Sequence, residues 1–191
     1  MDAVIGVSQG AASALSFSIQ HPERVGKIIA CDTQAKAPES NKQAWDDRIK
    51  LAKSSDDGMK RLAIVTAQRW FPEGSAYHPV DNDIGADSNI FNPILKMITA
   101  TPLQGFECGA RALQTYNLLV DGLLQSKTKT LLIAGEKDGG GVISKALQQL
   151  TSDWTNNGGN VEFVEVKGAG HLPMVGTTSA WLDVVVSFLQ E

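Results

Sequence analysis

Residues 1–25 read MDAVIGVSQGAASALSFSIQHPERV, and within them Gly6-Val7-Ser8-Gln9-Gly10 sets a serine between two glycines. The run Ala3–Val7 is apolar without polar alternation, the mark of a strand covered on both faces. The stretch 11–20 carries apolar and small residues at helical spacing. A strand that turns sharply into a helix at a serine strains that serine's backbone, and its neighbours two positions away crowd the turn. Gly6 and Gly10 are therefore expected to remove clashing side chains, and Ala11, Ala12, Ser13 and Ala14 to let the helix pack closely beneath. At the helix start, the backbone N–H of Gln9 would point at an oxyanion forming beside Ser8. The competing reading is an ordinary turn or helix-cap serine.

A serine hydroxyl is a poor nucleophile at neutral pH, so a nucleophilic Ser8 needs a base within hydrogen-bond reach and an acid to orient it. On a strand–turn–helix serine the chain order is serine, acid, histidine. With three histidines in the chain the search is short. His171 stands in GAGHLP after the run VEFVEV, and Asp138 in GEKDGGG after TLLIAG, so both sit at strand carboxyl ends. Asp32 follows KIIAC in the same way and is a second candidate acid. His21, before Pro22, is expected to end the helix that follows Ser8. His78 is expected to be exposed in a loop.

Four apolar runs read as strands: Ala3–Val7, Lys27–Cys31, 130–135 and Val161–Val166, the last alternating enough to be an edge. Helical patterns at 11–20, 142–154 and 179–189 separate them, which makes an α/β fold with a parallel sheet of about four strands. Residues 40–126 show no strand. Ser40 or Asn41 can cap a helix carrying Trp45, Ile49 and Ala52, and Asp56 or Asp57 one carrying Met59, Leu62, Ala63 and Trp70. A Pro/Gly/Asp/Asn-rich loop at 71–89 and helical stretches near 92–100 and 105–117 follow. The expected organisation is core segment 1–39, helical cap or lid 40–126, and core segment 127–191. The lid would lie over the strands' carboxyl ends, where ligands bind in such sheets. Trp45, Arg48 and Trp70 could line a pocket there, although helical aromatics more often pack in cores.

At 42% hydrophobic and 20% charged residues the composition is that of a folded globular chain, which argues against disorder. A net charge of −4 with scattered lysines and arginines leaves no basic patch for nucleic acid or an anionic membrane. No stretch is apolar and long enough to span a bilayer, and no basic-then-apolar leader opens the chain. Cys31 and Cys108 have no metal-like spacing, and Cys31, in KIIAC, reads as a buried thiol suited to a reducing compartment. A cytoplasmic location is the default expectation.

At these residues the chain resembles an α/β-hydrolase, and more narrowly the 3-oxoadipate enol-lactonases. The similarity lies in GVSQG, HPERV, the strand ending in CDT, and the lid stretches W-x-x-R-I (Trp45, Arg48, Ile49), GM-x-x-LA (Gly58, Met59, Leu62, Ala63) and RWF (Arg69–Phe71). GFECGARAL, LLIAGEKD and GAGH complete it. The resemblance implies a serine hydrolase of the β-ketoadipate pathway that opens an enol-lactone with water, using Ser8, His171 and Asp138 and no metal or organic cofactor. It also implies strands ahead of the serine turn and a His-Gly loop with a second oxyanion donor, which this sequence does not contain. The expectation is thus a partial α/β-hydrolase fold whose first strand is an exposed edge. Its partner would be a small ester or lactone, with self-association through that edge as a further possibility. Ala11 stands where the group has another glycine, the acid loop DGGGVIS lacks the group's proline, and MVGTTSAW replaces a glutamate-and-proline stretch. A carboxylic ester hydrolase of the same fold, or a catalytically weak remnant with a binding role, are the alternatives.

Overall fold

The computed structural model describes residues 1–79 and 92–191. Four strands, β1 (Ala3–Val7), β2 (Lys27–Cys31), β3 (Lys129–Gly135) and β4 (Val161–Val166), form one sheet in the order β1-β2-β3-β4. Every pairing is parallel, with Val7 beside Cys31, Cys31 beside Ile133, and Gly135 beside Val166. All four strands therefore end on one rim of the sheet. β3 starts one residue earlier than its apolar run suggests, because Lys129 pairs with Lys27 at the amino end.

The chain divides into two compact units, Met1–Lys36 with Asn117–Glu191, and Ala37–Tyr116. In the first, helix α1 (Gln9–Gln20) packs on β1 and β2 through Ala11, Ala12, Ala14 and Leu15. His21 closes it, donating its N–H to the Phe17 carbonyl before Pro22. In the second unit, α2 (Asn41–Lys53) packs on α3 (Gly58–Trp70), which packs on α4 (Pro93–Thr99), while α5 (Leu103–Ala112) packs on α2. Its core is Ile49, Ala52, Leu62, Ala63, Ala67, Leu95 and Ile98. Back in the first unit, α6 (Val142–Asn156) covers β3 and β4, and α7 (Thr178–Gln190) follows a single helical turn at Pro173–Gly176.

Side chains alternate between sheet faces along a strand. Ile29, Cys31, Leu131 and Ile133 therefore share one face, where they cluster with Val166, Ala169 and with Val185 and Phe188 of α7. Ile28, Ala30, Thr130 and Leu132 point to the other, towards α1 and α6, and all are fully buried. β1 and β4 are the terminal strands, and on β1 Ile5 is 46% exposed.

Several local expectations need correction. Ser40 and Asp57 occupy helix-cap positions without a side-chain cap bond, because the Asp57 carboxylate pairs with Lys60 at 2.7 Å and the first turn at Ser40 closes through backbone bonds. Asn92 is a true cap, accepting from the N–H groups of Ile94 and Leu95. The helix expected to reach residue 117 ends at Ala112, since Asn117 is drawn into an antiparallel bridge with Lys36. His78 is only partly exposed; its Nδ1 donates to the Phe71 carbonyl at 2.8 Å. The loop expected at 71–89 lies partly outside the described residues. Among the described residues no helix is long and apolar enough to cross a membrane.

Candidate active site

The rim formed by the strands' carboxyl ends carries Ser8 after β1, Asp32 after β2, Asp138 after β3 and His171 after β4, all within one compact unit. Backbone bonds continue the sheet ladder onto this rim. Ser8 N–H donates to the Cys31 carbonyl, Asp32 N–H to Ile133, and Glu136 N–H to Val166, at 2.8, 2.8 and 3.0 Å. Each loop thus leaves its strand from a fixed point.

Ser8 has φ 54° and ψ −119°, and Asp32 has φ 49°. Among the described residues these are the two non-glycine positions with positive φ. A side chain in that region costs of order 1–3 kcal/mol, and such outliers concentrate at functional sites. Room for the Ser8 turn comes from Gly6, where a Cβ would sit 2.4 Å from the Gly10 carbonyl oxygen and 2.6 Å from the Ala11 nitrogen. Gly10 is different from expectation: a Cβ there meets nothing within 4 Å among the described residues. The crowding at this turn is backbone of residues 10 and 11 pressing on residue 6, so one glycine relieves it. Ser8 is half-buried, and Gln9, the first residue of α1, is exposed.

Asp138 and His171 are 6% and 9% exposed, and His171 Nδ1 lies 2.8 Å from Asp138 Oδ2. A carboxylate acceptor makes Nδ1 the protonated nitrogen of the neutral ring, which assigns base character to Nε2. Asp138 opens a short turn in which Gly139, Gly140 and Gly141 all have positive φ, leading into α6. That left-handed run needs glycines and explains DGGG.

The acid and histidine loops are tied together by residues that sequence reasoning missed. Lys137 N–H donates to the Ala169 carbonyl at 2.8 Å, and the Glu136 carboxylate accepts from Gly168 N–H at 2.8 Å and from Lys167 at 3.2 Å. The Gly168 N–H and the Lys167 ammonium hold the Glu136 carboxyl below its usual value. A Cβ on Gly135 would fall 2.0 Å from the Gly170 carbonyl oxygen, so the backbone just before His171 rests directly on the end of β3. The signal was present in the glycines of LLIAG and GAG, but their contact is between distant segments.

Asp32 is 2% exposed. Its Oδ1 accepts the Gly135 N–H at 2.8 Å. Burial, reinforced by Asp138 nearby and opposed by the Gly135 N–H, pushes its carboxyl up to about 9. One oxygen each from Asp32 and Asp138 and one His171 nitrogen lie within 4.8 Å of one another. Such donors could in principle share a cation. Here Asp138 and His171 already bond each other, and a carboxyl pushed up by burial is a poor metal ligand.

Of the other expected residues, Trp45 and Arg48 meet on α2, with the guanidinium 4.5 Å from the ring centroid. Burial lowers the Arg48 guanidinium from its ordinary value. Trp70 is the last residue of α3 and half-buried. All three belong to the Ala37–Tyr116 unit.

No protein-family model matches the chain. It is 35% identical over 69 residues to 3-oxoadipate enol-lactonase 2 of Acinetobacter baylyi, covering 36% of this chain and 24% of that protein. Its fold is similar to that of the enol-lactonase from Burkholderia xenovorans LB400, with a TM-score of 0.75 at 20% identity over 98% of this chain and 65% of that one. It is also similar to an α/β hydrolase from a Medee basin deep-sea metagenome library, with a TM-score of 0.77 at 20% identity over 99% of this chain and 65% of that one. The chain thus spans just under two-thirds of those solved structures' length. A parallel sheet with a strained serine after one strand and a hydrogen-bonded aspartate and histidine after two others, together with these likenesses, marks the chain as carrying a partial α/β-hydrolase fold.

Proposed function

We propose that this chain provides the catalytic rim of a serine hydrolase acting on a carboxylic ester or lactone, most like an enol-lactone of aromatic-compound breakdown. The observation that carries this reading is the Ser8 backbone, φ 54° and ψ −119° at a strand-to-helix turn, on the same rim as the 2.8 Å Asp138–His171 bond. In this mechanism Ser8 Oγ attacks the substrate carbonyl carbon while its proton passes to His171 Nε2. Asp138 holds the imidazole in the required tautomer and stabilises the imidazolium. The backbone N–H of Gln9 supports the oxyanion, and loss of one such donor typically costs about 10²–10³ in turnover. Collapse of the tetrahedral species breaks the C–O bond, and the leaving oxygen takes the proton from His171. In a lactone that oxygen stays tethered to the acyl group. His171 then takes a proton from water, whose oxygen attacks the acyl carbon; collapse breaks the bond to Ser8 Oγ, which recovers the proton from His171 as the acid is released.

The unit Ala37–Tyr116 is proposed as the cap, with Trp45, Arg48 and Trp70 as substrate-contacting residues. The test is labelling by a fluorophosphonate, with Ser8→Ala beside the wild type, followed by hydrolysis of p-nitrophenyl acetate and of an enol-lactone. Labelling of wild type and not of Ser8→Ala is expected, with faster turnover of the lactone. Equal labelling of both would remove Ser8 from the mechanism. A second reading, a binding module that associates through β1, is favoured by the exposed Ile5 on that terminal strand. Size-exclusion chromatography tests it, and a clean monomer would count against it.

A further inference from the structure

Asp32 is too well built into the rim to be a bystander. It is buried, held at positive φ, anchored by its own N–H to Ile133, and hydrogen-bonded through Oδ1 to Gly135. Its Oδ2 is fully enclosed and has no hydrogen-bond donor among the described residues, although Asp138 and His171 are its neighbours. A buried carboxylate oxygen without a donor is costly, and two carboxylates this close cannot both stay ionised. One of the pair must hold a proton. Asp138 already serves as the hydrogen-bond acceptor of the His171 Nδ1–H, a role that a bare carboxylate oxygen fills. Among the described residues Asp32 has one N–H donor on one oxygen and none on the other, so the proton belongs to Asp32.

We propose that Asp32 is a positioning residue: a neutral carboxylic acid that carries its proton on Oδ2 and offers it to the carboxylate of Asp138. In this state Asp32 has the hydrogen-bonding pattern of a carboxamide, accepting at Oδ1 and donating from the other atom. The bond would fix the plane of the Asp138 carboxylate, so that Oδ2 of Asp138 stays aimed at His171. The inference rests on the reading of Asp138 and His171 as acid and base only for its effect on catalysis; the protonation itself follows from burial and geometry.

Among the described residues the groups facing Asp32 are few. β3 contributes the Gly135 N–H, the turn after it contributes Asp138, and the loop after β4 contributes His171. On β2 the adjacent Cys31 thiol is pushed up to about 12 by burial and stays neutral, with Trp181 of α7 donating to its sulfur at 3.5 Å. The Asp32 carboxyl, pushed up to about 9, would ionise in mildly alkaline solution and set a second negative charge against Asp138.

Two measurements test this on the full chain. Infrared difference spectra of wild type against Asp32→Asn at pH 7 should show a protonated carboxylic-acid C=O band that the variant lacks, and the wild-type band should fade as pH rises through about 9. Absence of the band from the wild type at pH 7, or its survival in Asp32→Asn, would overturn the proposal. Fluorophosphonate labelling across pH is the second. Asp32→Asn should label within about threefold of wild type at pH 7, because the amide reproduces the acid's donor and acceptor. The wild-type rate should fall above about pH 9 and the variant's should not. A folded Asp32→Asn that loses labelling about 100-fold or more at neutral pH would make Asp32 an ionised acid and overturn the proposal. A band that behaves as expected in a chain the probe does not label supports the protonated Asp32 and counts against the hydrolase reading alone.

Discussion

The two ends of the sheet's carboxyl rim are built to different standards. At the β3–β4 end, Asp138 and His171 are almost fully enclosed, and the loops that carry them are joined by the Glu136–Val166, Lys137–Ala169 and Glu136–Gly168 bonds. At the β1 end, Ser8 is half-buried, Gln9 and Gly10 are exposed, and Ile5 beneath them stands 46% in solvent. Preorganised polar groups need a rigid, dry surround to act strongly. The Asp138–His171 pair has that surround from its own unit. The serine turn is held by the Ser8–Cys31 backbone bond, on a strand with one neighbour among the described residues. The difference teaches that the histidine's orientation and the serine's placement can fail independently.

The largest expected effect probes the enclosed end. Asp138→Asn should lower turnover of an ester by about 10⁴-fold, because an amide can donate to Nδ1 and hold the wrong imidazole tautomer. The ratio of kcat values for variant and wild type, with circular dichroism to verify folding, checks it. A variant working at the wild-type rate would show that the enclosed pair does not serve Ser8.

A second prediction uses pH. The Asp32 carboxyl is raised, so the folded state keeps a proton that the unfolded state loses above about 3.9. Its contribution to stability is therefore fully present below that pH and lost as pH rises towards about 9. Asp32→Asn removes the titration. Its stability advantage over wild type should grow with pH across that window, by up to about 1.4 kcal/mol per unit, and flatten above it. Denaturant midpoints at pH 5, 7 and 9 measure this, and a constant gap would mean that Asp32 is not raised.

Much of this rim was legible in the residues because strands, turns and chain order are local facts. Ala3–Val7, Lys27–Cys31 and Val161–Val166 stood out as apolar runs, and the order serine, aspartate, histidine located three loops at the ends of such runs. What could not be read depends on adjacency between distant segments. Asp32 and Asp138 looked like rivals for one role; the fold packs them side by side, so their charges compete for one proton. Glu136, in GEKD, accepts from the Gly168 N–H on a loop 32 residues on, a contact that nothing in its local sequence signals. Asp57 looked like a helix cap until Lys60, one turn along, took its carboxylate.

The smallest effects test the open end, and they differ in sign. Gly6→Ala should destabilise the chain by about 1–3 kcal/mol, since its Cβ meets backbone at 2.4 Å and backbone cannot step aside as a flexible side chain does. At the enclosed end, for contrast, Gly135→Ala, with its Cβ 2.0 Å from the Gly170 oxygen, should lose at least as much and should also displace His171. Gly10 belongs to α1, and a Cβ there meets nothing within 4 Å among the described residues. Alanine suits a helix better than glycine by roughly 0.5–1 kcal/mol, so Gly10→Ala should raise the melting temperature by about 1–4 °C. The motif alone treats the two flanking glycines as equivalent. Melting curves of Gly6→Ala and Gly10→Ala moving in the same direction would mean that the crowding at this turn is not where the structure places it.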